Sequence, residues 1–498
     1  MGFKSFLAKP FANHVAKQIN INAQDAIAHQ QKILQTLLTQ AQITEFGKEH
    51  QFEKITYHQE FADAVPIRDY ENLKPYIEKI KQGEENILWK GKPLYFAKTS
   101  GTTSGVKYIP ITNDSISEHI LAARNALLCY ISETGNANFV DGKMIFLSGS
   151  PILEKVNGIN TGRLSGIVNH HVPSYLTKNR MPSFETNCIE DWEIKLDAIV
   201  QETMHQNMTL ISGIPPWVQM YFDRLSEKSG KSISTLFPNF NLLVHGGVNF
   251  EPYKKKLFET IGRKIDTIET FPASEGFFAF QDSQTHQGML LNTHAGMYFE
   301  FVPATEIFDE RPSRLSLQEV KLNENYVLIV SSNAGLWAYN IGDTIKFVSL
   351  NPYRIIVTGR IKHFISAFGE HVIAEEVEYA MRIACERHQV KIIEFTVAPF
   401  ISSNDGKSFH DWYIEFENEP ENIIEFASTL NNALREKNIY YNDLIVGNIL
   451  SDLKINSLQK NTFILYMKSI GKLGGQNKVP RLSNDRNIAD ALQNFVKK

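Results

Sequence analysis

Three short apolar runs, each closed by glycine or proline, most narrow what this chain can fold into: MIFLSGSP at 144–151, MTLISGIPPW at 208–217 and NLLVHGGVNF at 241–250. Apolar runs of that length with no polar alternation are strands buried on both faces, ending in turns at a sheet edge. Helical spacing fills the intervals, from Asp191 to Met204 and from Pro216 to Lys228. Strand and helix therefore alternate, which predicts an α/β fold. The chain has 498 residues, more than one core organises, so two or three domains are expected.

Around residue 360 the texture changes. A helix is expected from Ala374 to His388, with Val377, Met381, Ala384 and His388 on one face. Glu375, Glu376 and Glu378 near its start and Arg387 near its end match the helix dipole. Two strands, KIIEFTVAPF and SFHDWYIEFE, flank an Asn-Asp-Gly turn; a helix near Glu421 to Lys437 and a strand at TFILYMK then complete a compact α+β unit. The expected domains are 1–360 and 361–498. Upstream, residues 11–48 read as helical, and Pro66 and Pro75 stand where helices begin. The Gly-rich GKLGGQNKVPR near the end reads as a mobile loop.

Composition removes several classes of function. A net charge of -4 with both signs interspersed leaves no footprint for nucleic acid or an anionic membrane surface. Cys129, Cys188 and Cys385 are too scattered for a disulfide framework or a zinc site. The amino terminus lacks the apolar core of a signal peptide, Phe6 stands where a myristoylation signal has Ser or Thr, and no run reaches membrane-span length. A cytoplasmic protein is expected.

Residues 95–110, YFAKTSGTTSGVKYIP, hold the densest cluster of anion-binding chemistry. Gly101 and Gly105 permit close backbone approach, Thr99, Ser100, Thr102, Thr103 and Ser104 bring hydroxyl donors, and Lys107 brings a mobile charge. The spacing is not that of the kinase-type P-loop, since three residues separate the glycines and Val106 precedes Lys107. A phosphate cradle and a plain Ser/Thr/Gly turn between strands both fit. In TFPASEGFFAF, Phe271 can stack on a base, and Glu275, after Ala273 and Ser274 in a short turn, can hold Mg²⁺ or be an ordinary surface carboxylate. In YNIGDTIKF, Asp343 can accept from ribose hydroxyls or simply occupy a β-turn. Gly246 and Gly247 can expose amides to a carboxylate or to the adenine side of a nucleotide, or simply close a strand. His245 beside them is a candidate base or a histidine satisfying a strand end.

With VPIRDYENLKPYIEKIKQGE, GRIKHFISAFGE and NKVPR added in order, the chain resembles the GH3 acyl-acid amido synthetases, of the adenylate-forming superfamily, over about residues 60 to 485. The resemblance implies a large multi-sheet amino-terminal domain and a smaller α+β carboxy-terminal domain that pivots over the active site at Arg360 to His363. It implies ATP and Mg²⁺, and a reaction in which a carboxylic acid becomes an acyl-adenylate and is then passed to an amine such as that of an amino acid. It assigns Ser100 to Lys107 to the ATP phosphates, Phe271 to the adenine wall, Glu275 to the metal and α-phosphate region and Asp343 to the ribose, with Thr99, Gly246, Gly247, Ala273, Ser274 and Arg360 as further cofactor-binding residues. Lys478 becomes the mobile catalytic lysine and Arg124 a contact for the acid. Pro272 stands where the family has glycine, and His363 where related enzymes carry an acidic residue. Acyl-CoA synthetases and carrier-loading ligases share the first half-reaction, although the GRIKHFISAFGE and NKVPR motifs favour an amino acid. A non-catalytic nucleotide sensor would need the pocket but not Lys478.

Overall fold

The structure, a computed structural model, describes residues 3–100, 106–172, 178–247, 250–361, 364–365, 372–401, 408–446, 450–473, 478–483 and 485–497. They group into two compact units, Met1–Ile341 with Ile345–Ile356, and Gly342–Thr344 with Val357–Lys498. Among the described residues no helix is long and apolar enough to cross a membrane.

The first unit opens with two helices, α1 (Phe3–Gln24) and α2 (Ala26–Ala41). The helical expectation for 11–48 thus extends upstream, and Pro10 lies inside α1. Helix α3 (Tyr70–Lys81) starts at Asp69, whose carboxylate accepts from the Asn72 amide while Asn72 caps in return. Pro75 is therefore interior to a helix rather than its start. Burial of Leu73, Ile77 and Ile80 along one face offsets the hydrogen bond that proline removes.

Strands β1 (Tyr95–Ser100) and β2 (Val106–Ile111) form an antiparallel hairpin, in a four-stranded sheet with β4 (Glu154–Val156) and β5 (Ile159–Gly162), ordered β2-β1-β5-β4. A larger sheet is built on β3 (Lys143–Phe146), β6 (Arg180–Met181), β7 (Met208–Ser212), β8 (Leu242–Gly246), β9 (Asp266–Ala273), β10 (Gly276–Phe280), β11 (Met289–Leu291), β12 (Met297–Pro303), β13 (Asn325–Ser332), β14 (Tyr339–Leu350) and β15 (Tyr353–Arg360). Its order is β12-β13-β14-β15-β11-β10-β9-β8-β7-β3-β6. The three apolar runs of the sequence are β3, β7 and β8, which pair in parallel as β3-β7-β8 and continue to β9. Leu210, Leu242 and Ile268 share one core with α1 and with α4 (Asn113–Thr134). Alternation along the strands puts Leu243, His245, Thr267, Glu269 and Phe271 on the other face. The helical intervals become α5 (Trp192–Thr203) and α6 (Pro215–Ser229), and α7 (Glu251–Ile261) leads from β8 to β9.

The second unit contains β16 (Phe364–Ile365), β17 (Val372–Ile373), α8 (Ala374–His388), β18 (Lys391–Phe400), β19 (Phe409–Asn418), α9 (Ile423–Lys437) and β20 (Lys454–Ser457). Strands β18 and β19 are antiparallel, and β20 runs parallel to β19. TFILYMK, expected as a strand, is a helix, α10 (Thr462–Ser469). Phe463 and Met467 bury one helical face while Leu465 is exposed. The buried Glu415 carboxylate accepts from the amides of Asn461 (2.6 Å) and Phe463 (3.1 Å), satisfying donors at the helix start.

Asp343 and Arg360, expected in a first domain ending at residue 360, group with this second unit. There the Thr358 hydroxyl donates to Thr344 (2.9 Å) and the Ile361 amide to Gly342 O (2.8 Å), tying the ends of β14 and β15 together.

Candidate active site

Parallel strands end at one edge of a sheet, and in such sheets ligands sit beyond the strands' carboxyl ends. At β8 the backbone meets that demand through Gly246. A Cβ there would lie 2.3 Å from Thr270 O on β9, so only glycine permits this approach. Gly247 follows with φ +81°, a left-handed conformation that turns the chain away from the sheet. Next to them His245 is buried, its ring stacked on Phe250 at 4.0 Å and 18°, and its Nδ1 lacks a hydrogen-bond partner. Burial, then the Lys254 charge, push its pKa down to about 3, so the imidazole is neutral and only weakly basic at neutral pH.

Strand β9 carries Phe271, set edge-to-face on Phe278 at 5.0 Å, and turns back into β10. Ala273 pairs with Gly276 and Pro272 with Phe277, leaving Ser274 and Glu275 as a two-residue hairpin loop. Glu275 is half-buried at that tip. Among the described residues no group of three or more His, Cys, Asp or Glu side chains could hold a metal. A turn carboxylate fits a divalent ion held mainly by phosphate oxygens and water, as Mg²⁺ is at nucleotide sites.

Gly101, Thr102, Thr103, Ser104 and Gly105 of the expected phosphate loop lie outside the described residues. The flanks are in register, with Ser100 opposite Val106 and Thr99 opposite Lys107. The Lys107 ammonium sits 5.6 Å from the Tyr70 ring centroid, and the Tyr70 hydroxyl accepts from the Tyr108 amide at 2.9 Å. Arg124 on α4 holds its guanidinium 5.9 Å over Phe11 of α1 and donates to Asn125 at 3.2 Å.

In the second unit the structure brings Asp343, Arg360 and Lys478 into one electrostatic group. Gly342 turns the chain at φ +83°, and Asp343, itself buried, accepts from Arg360 Nε and, at 3.5 Å, from Nη2. Lys478 is exposed as a side chain, yet protein around its ammonium strips part of its hydration. That desolvation, and then the Arg360 charge, pull its pKa down to about 8 against the opposing Asp343 carboxylate. The residues after it are pinned along β18: Thr396 donates to Pro480 O (2.7 Å), Val397 N to Arg481 O (2.9 Å) and Ser483 N to Val397 O (3.0 Å). Arg481 pairs with Glu378 (3.0 Å) and Glu394. Lys478 is thus the last step before a fixed rail; Gly474 to Asn477, and the expected hinge residues Lys362 and His363, lie outside the described residues.

Sequence reasoning missed Glu269. Its Cα partner on β8 is His245, and burial, then Glu251, raise its pKa to about 7. The signal available was a charged residue inside an otherwise apolar strand, DTIETFPA.

A parallel sheet edge with a two-glycine turn, an aromatic, a turn glutamate and a separate α+β unit bearing a lysine belongs to the class of adenylate-forming ligase folds. A 2-hydroxyisobutyryl-CoA ligase solved with 2-HIB-AMP in the postadenylation state shares that fold at a TM-score of 0.62 and 12% identity, over 93% of this chain and 90% of that one. The chain belongs to the GH3 family: it matches the GH3 family N-terminal domain over residues 15–183, the central domain over 290–360 and the C-terminal domain over 375–487. A GH3.15 acyl acid amido synthetase superposes with a TM-score of 0.79 at 16% identity, covering 97% of this chain and 96% of that one. In sequence it is similar to jasmonoyl–L-amino acid synthetase JAR4 of Nicotiana attenuata, 22% identical, over 95% of this chain and 94% of that protein.

Proposed function

We propose that this protein is an ATP-dependent acid–amino acid ligase that activates a carboxylic acid as its acyl-adenylate and transfers the acyl group to the amine of an amino acid. The observation that carries this reading is the match to all three GH3 domains, on a chain that runs nearly the whole length of an amido synthetase.

Two anions must first be brought together. At 4 Å in a partly screened site, like unit charges repel by about 4 kcal/mol. Lys107 and the hydroxyl-rich loop from Thr99 to Gly105 offset that repulsion at the phosphates, and Gly246, Gly247, Phe271, Ala273 and Ser274 form the adenine side. Asp343, with Arg360, serves the ribose side. A Mg²⁺ ion at Glu275, when bound, supplies further charge neutralisation at the phosphates. A carboxylate oxygen of the acid attacks the α-phosphorus, the bond to the bridging oxygen breaks, and pyrophosphate leaves with the electron pair. Lys478 supplies positive charge where the carboxylate and α-phosphate meet. The amine nitrogen next attacks the acyl carbonyl, the carbonyl-carbon-to-phosphate-oxygen bond breaks, AMP departs and the amine loses its proton. His245, held neutral and only weakly basic, is a poor base for that proton.

Pyrophosphate release tests the reading. With a panel of carboxylic acids, release should depend on acid, and amide product should form when amino acids are added. Thioester formation with CoA and no amide would replace the acceptor, whereas release with no acid in the panel would defeat the ligase reading.

A further inference from the structure

Helix α1 carries its side-chain sizes in reverse of what packing alone would select. Ser5, Ala12, Ala16, Ile19 and Ala23 are its buried residues, and only Ile19 among them is large. The apolar four share a core with Ala122, Ala126 and Cys129 of α4. The large apolar side chains stand outside: Phe6 is 68% exposed, Leu7 54%, Phe11 50% and Ile21 44%. Helical spacing gathers Phe6, Leu7, Pro10 and Phe11 on one side, with Ile21 in line with Pro10 about three turns further on. A single exposed leucine is ordinary on a folded surface. A helix that turns alanine inward and phenylalanine outward is shaped for a second apolar contact on its outer side.

Charge narrows the occupant. The 22 residues of α1, FKSFLAKPFANHVAKQININAQ, include no Asp or Glu. Lys4 and Lys17 are exposed and Lys9 is half-buried, and none of the three makes an ion pair among the described residues. Arg124 of α4 adds a cation 5.9 Å over the Phe11 ring. A second copy docked by two-fold symmetry would set these lysines against their own counterparts, which disfavours a homodimer here. An anionic lipid surface complements both features at once, taking the lysines at its phosphates and the apolar side chains at its acyl boundary. The chain's net charge of -4 gives no general attraction to such a surface, so α1 departs locally from the expectation drawn from the whole sequence.

We infer that α1 is an interfacial helix, which lays Phe6, Leu7 and Phe11 into the boundary between headgroups and acyl chains of an anionic lipid surface while Lys4 and Lys17 meet lipid phosphates. The protein thereby rests on a membrane without spanning it. Because the alanine side of α1 stays packed on α4, the contact requires no unfolding.

Flotation of the full chain with vesicles of phosphatidylcholine alone, or of phosphatidylcholine and phosphatidylglycerol in equal parts, tests the inference. At low salt wild type should partition onto the anionic vesicles about tenfold or more over the neutral ones, and high salt should remove most of that preference. Phe6→Ser with Leu7→Ser should lower partitioning by about tenfold or more, the scale of two lost apolar side chains. Lys4→Gln with Lys17→Gln should lower it by about tenfold, the scale of two basic residues at an anionic surface. Phe308→Ser removes a ring 67% exposed elsewhere in the first unit and should leave partitioning unchanged. All four α1 positions are exposed, so both double variants should melt with wild type. Wild type absent from anionic vesicles, or partitioning that survives both double variants, overturns the inference. A wild-type dimer in light scattering that the serine pair converts to monomer, with no vesicle binding, overturns it in favour of a second copy.

Discussion

Arg360 and Asp343 hold one another across the ends of neighbouring strands, with Nε and Nη2 donating to the two carboxylate oxygens. Both charges act on Lys478 with opposite sign, Arg360 lowering its pKa and Asp343 raising it, and desolvation leaves it at about 8. If the ammonium form serves adenylation, activity is present below that pKa and lost as pH rises through it. Arg360→Gln removes the charge that opposes protonation, so the alkaline limb of acid-dependent pyrophosphate release should move above pH 8. Asp343→Asn should move it below. Profiles measured from pH 6.5 to 9.5 with saturating ATP decide the matter; limbs that stay in place in both variants would separate Lys478 from this pair.

Lys478→Ala should lower acid-dependent pyrophosphate release by at least roughly 10²-fold, as loss of one preorganised charge contact does. ATP affinity, measured by calorimetry, should change far less, because the alanine removes charge at the proposed reacting centre and spares the proposed phosphate and adenine contacts. Undiminished release would take Lys478 out of the chemistry. The fixed rail from Pro480 to Ser483 keeps the substitution from disturbing β18.

Where local pattern and tertiary burial agree, elements were legible: α8 spans Ala374–His388 as its apolar face and end charges predict, and β3, β7 and β8 fall on the three apolar runs. TFILYMK shows the opposite case. A short continuous apolar run has no period to separate strand from helix, and the side chain that selects the helix, Glu415, comes from β19, far upstream. Glu269 was invisible for a similar reason. Its isolation depends on the β8–β9 register, and no window of sequence contains both Glu269 and His245 as neighbours. Gly246 and Gly247 were readable as a strand-end turn because glycine announces backbone geometry, whereas the pairing of Asp343 with Arg360 required β14 and β15 to be brought side by side.

Glu415 gives a prediction confined to the second unit. Replacing it by alanine leaves the Asn461 and Phe463 amides at the start of α10 without their acceptor, beside a buried void. The expected loss is about 1–3 kcal/mol of unfolding free energy. Hydrogen exchange should report it as faster exchange in α10 before that in β18 or β19. Unchanged protection in α10 would show that water replaces the carboxylate.

Glu269 links the site to stability through its charge. Burial and Glu251 raise its folded-state pKa to about 7, above the ordinary glutamate value, so the folded chain binds this proton more tightly than the unfolded chain. The stabilisation is complete below the unfolded pKa, near 4.5, and is lost as pH rises through about 7. At pH 8 the native state therefore carries an ionised carboxylate with no described hydrogen-bond donor, which Glu269→Gln relieves. The melting temperature of the variant should exceed that of wild type at pH 8, and the gap should shrink toward pH 5 as the wild-type side chain holds its proton. Scanning calorimetry at pH 5 and pH 8 distinguishes this from a packing effect: a gap independent of pH would mean that the glutamine merely fits its surroundings better.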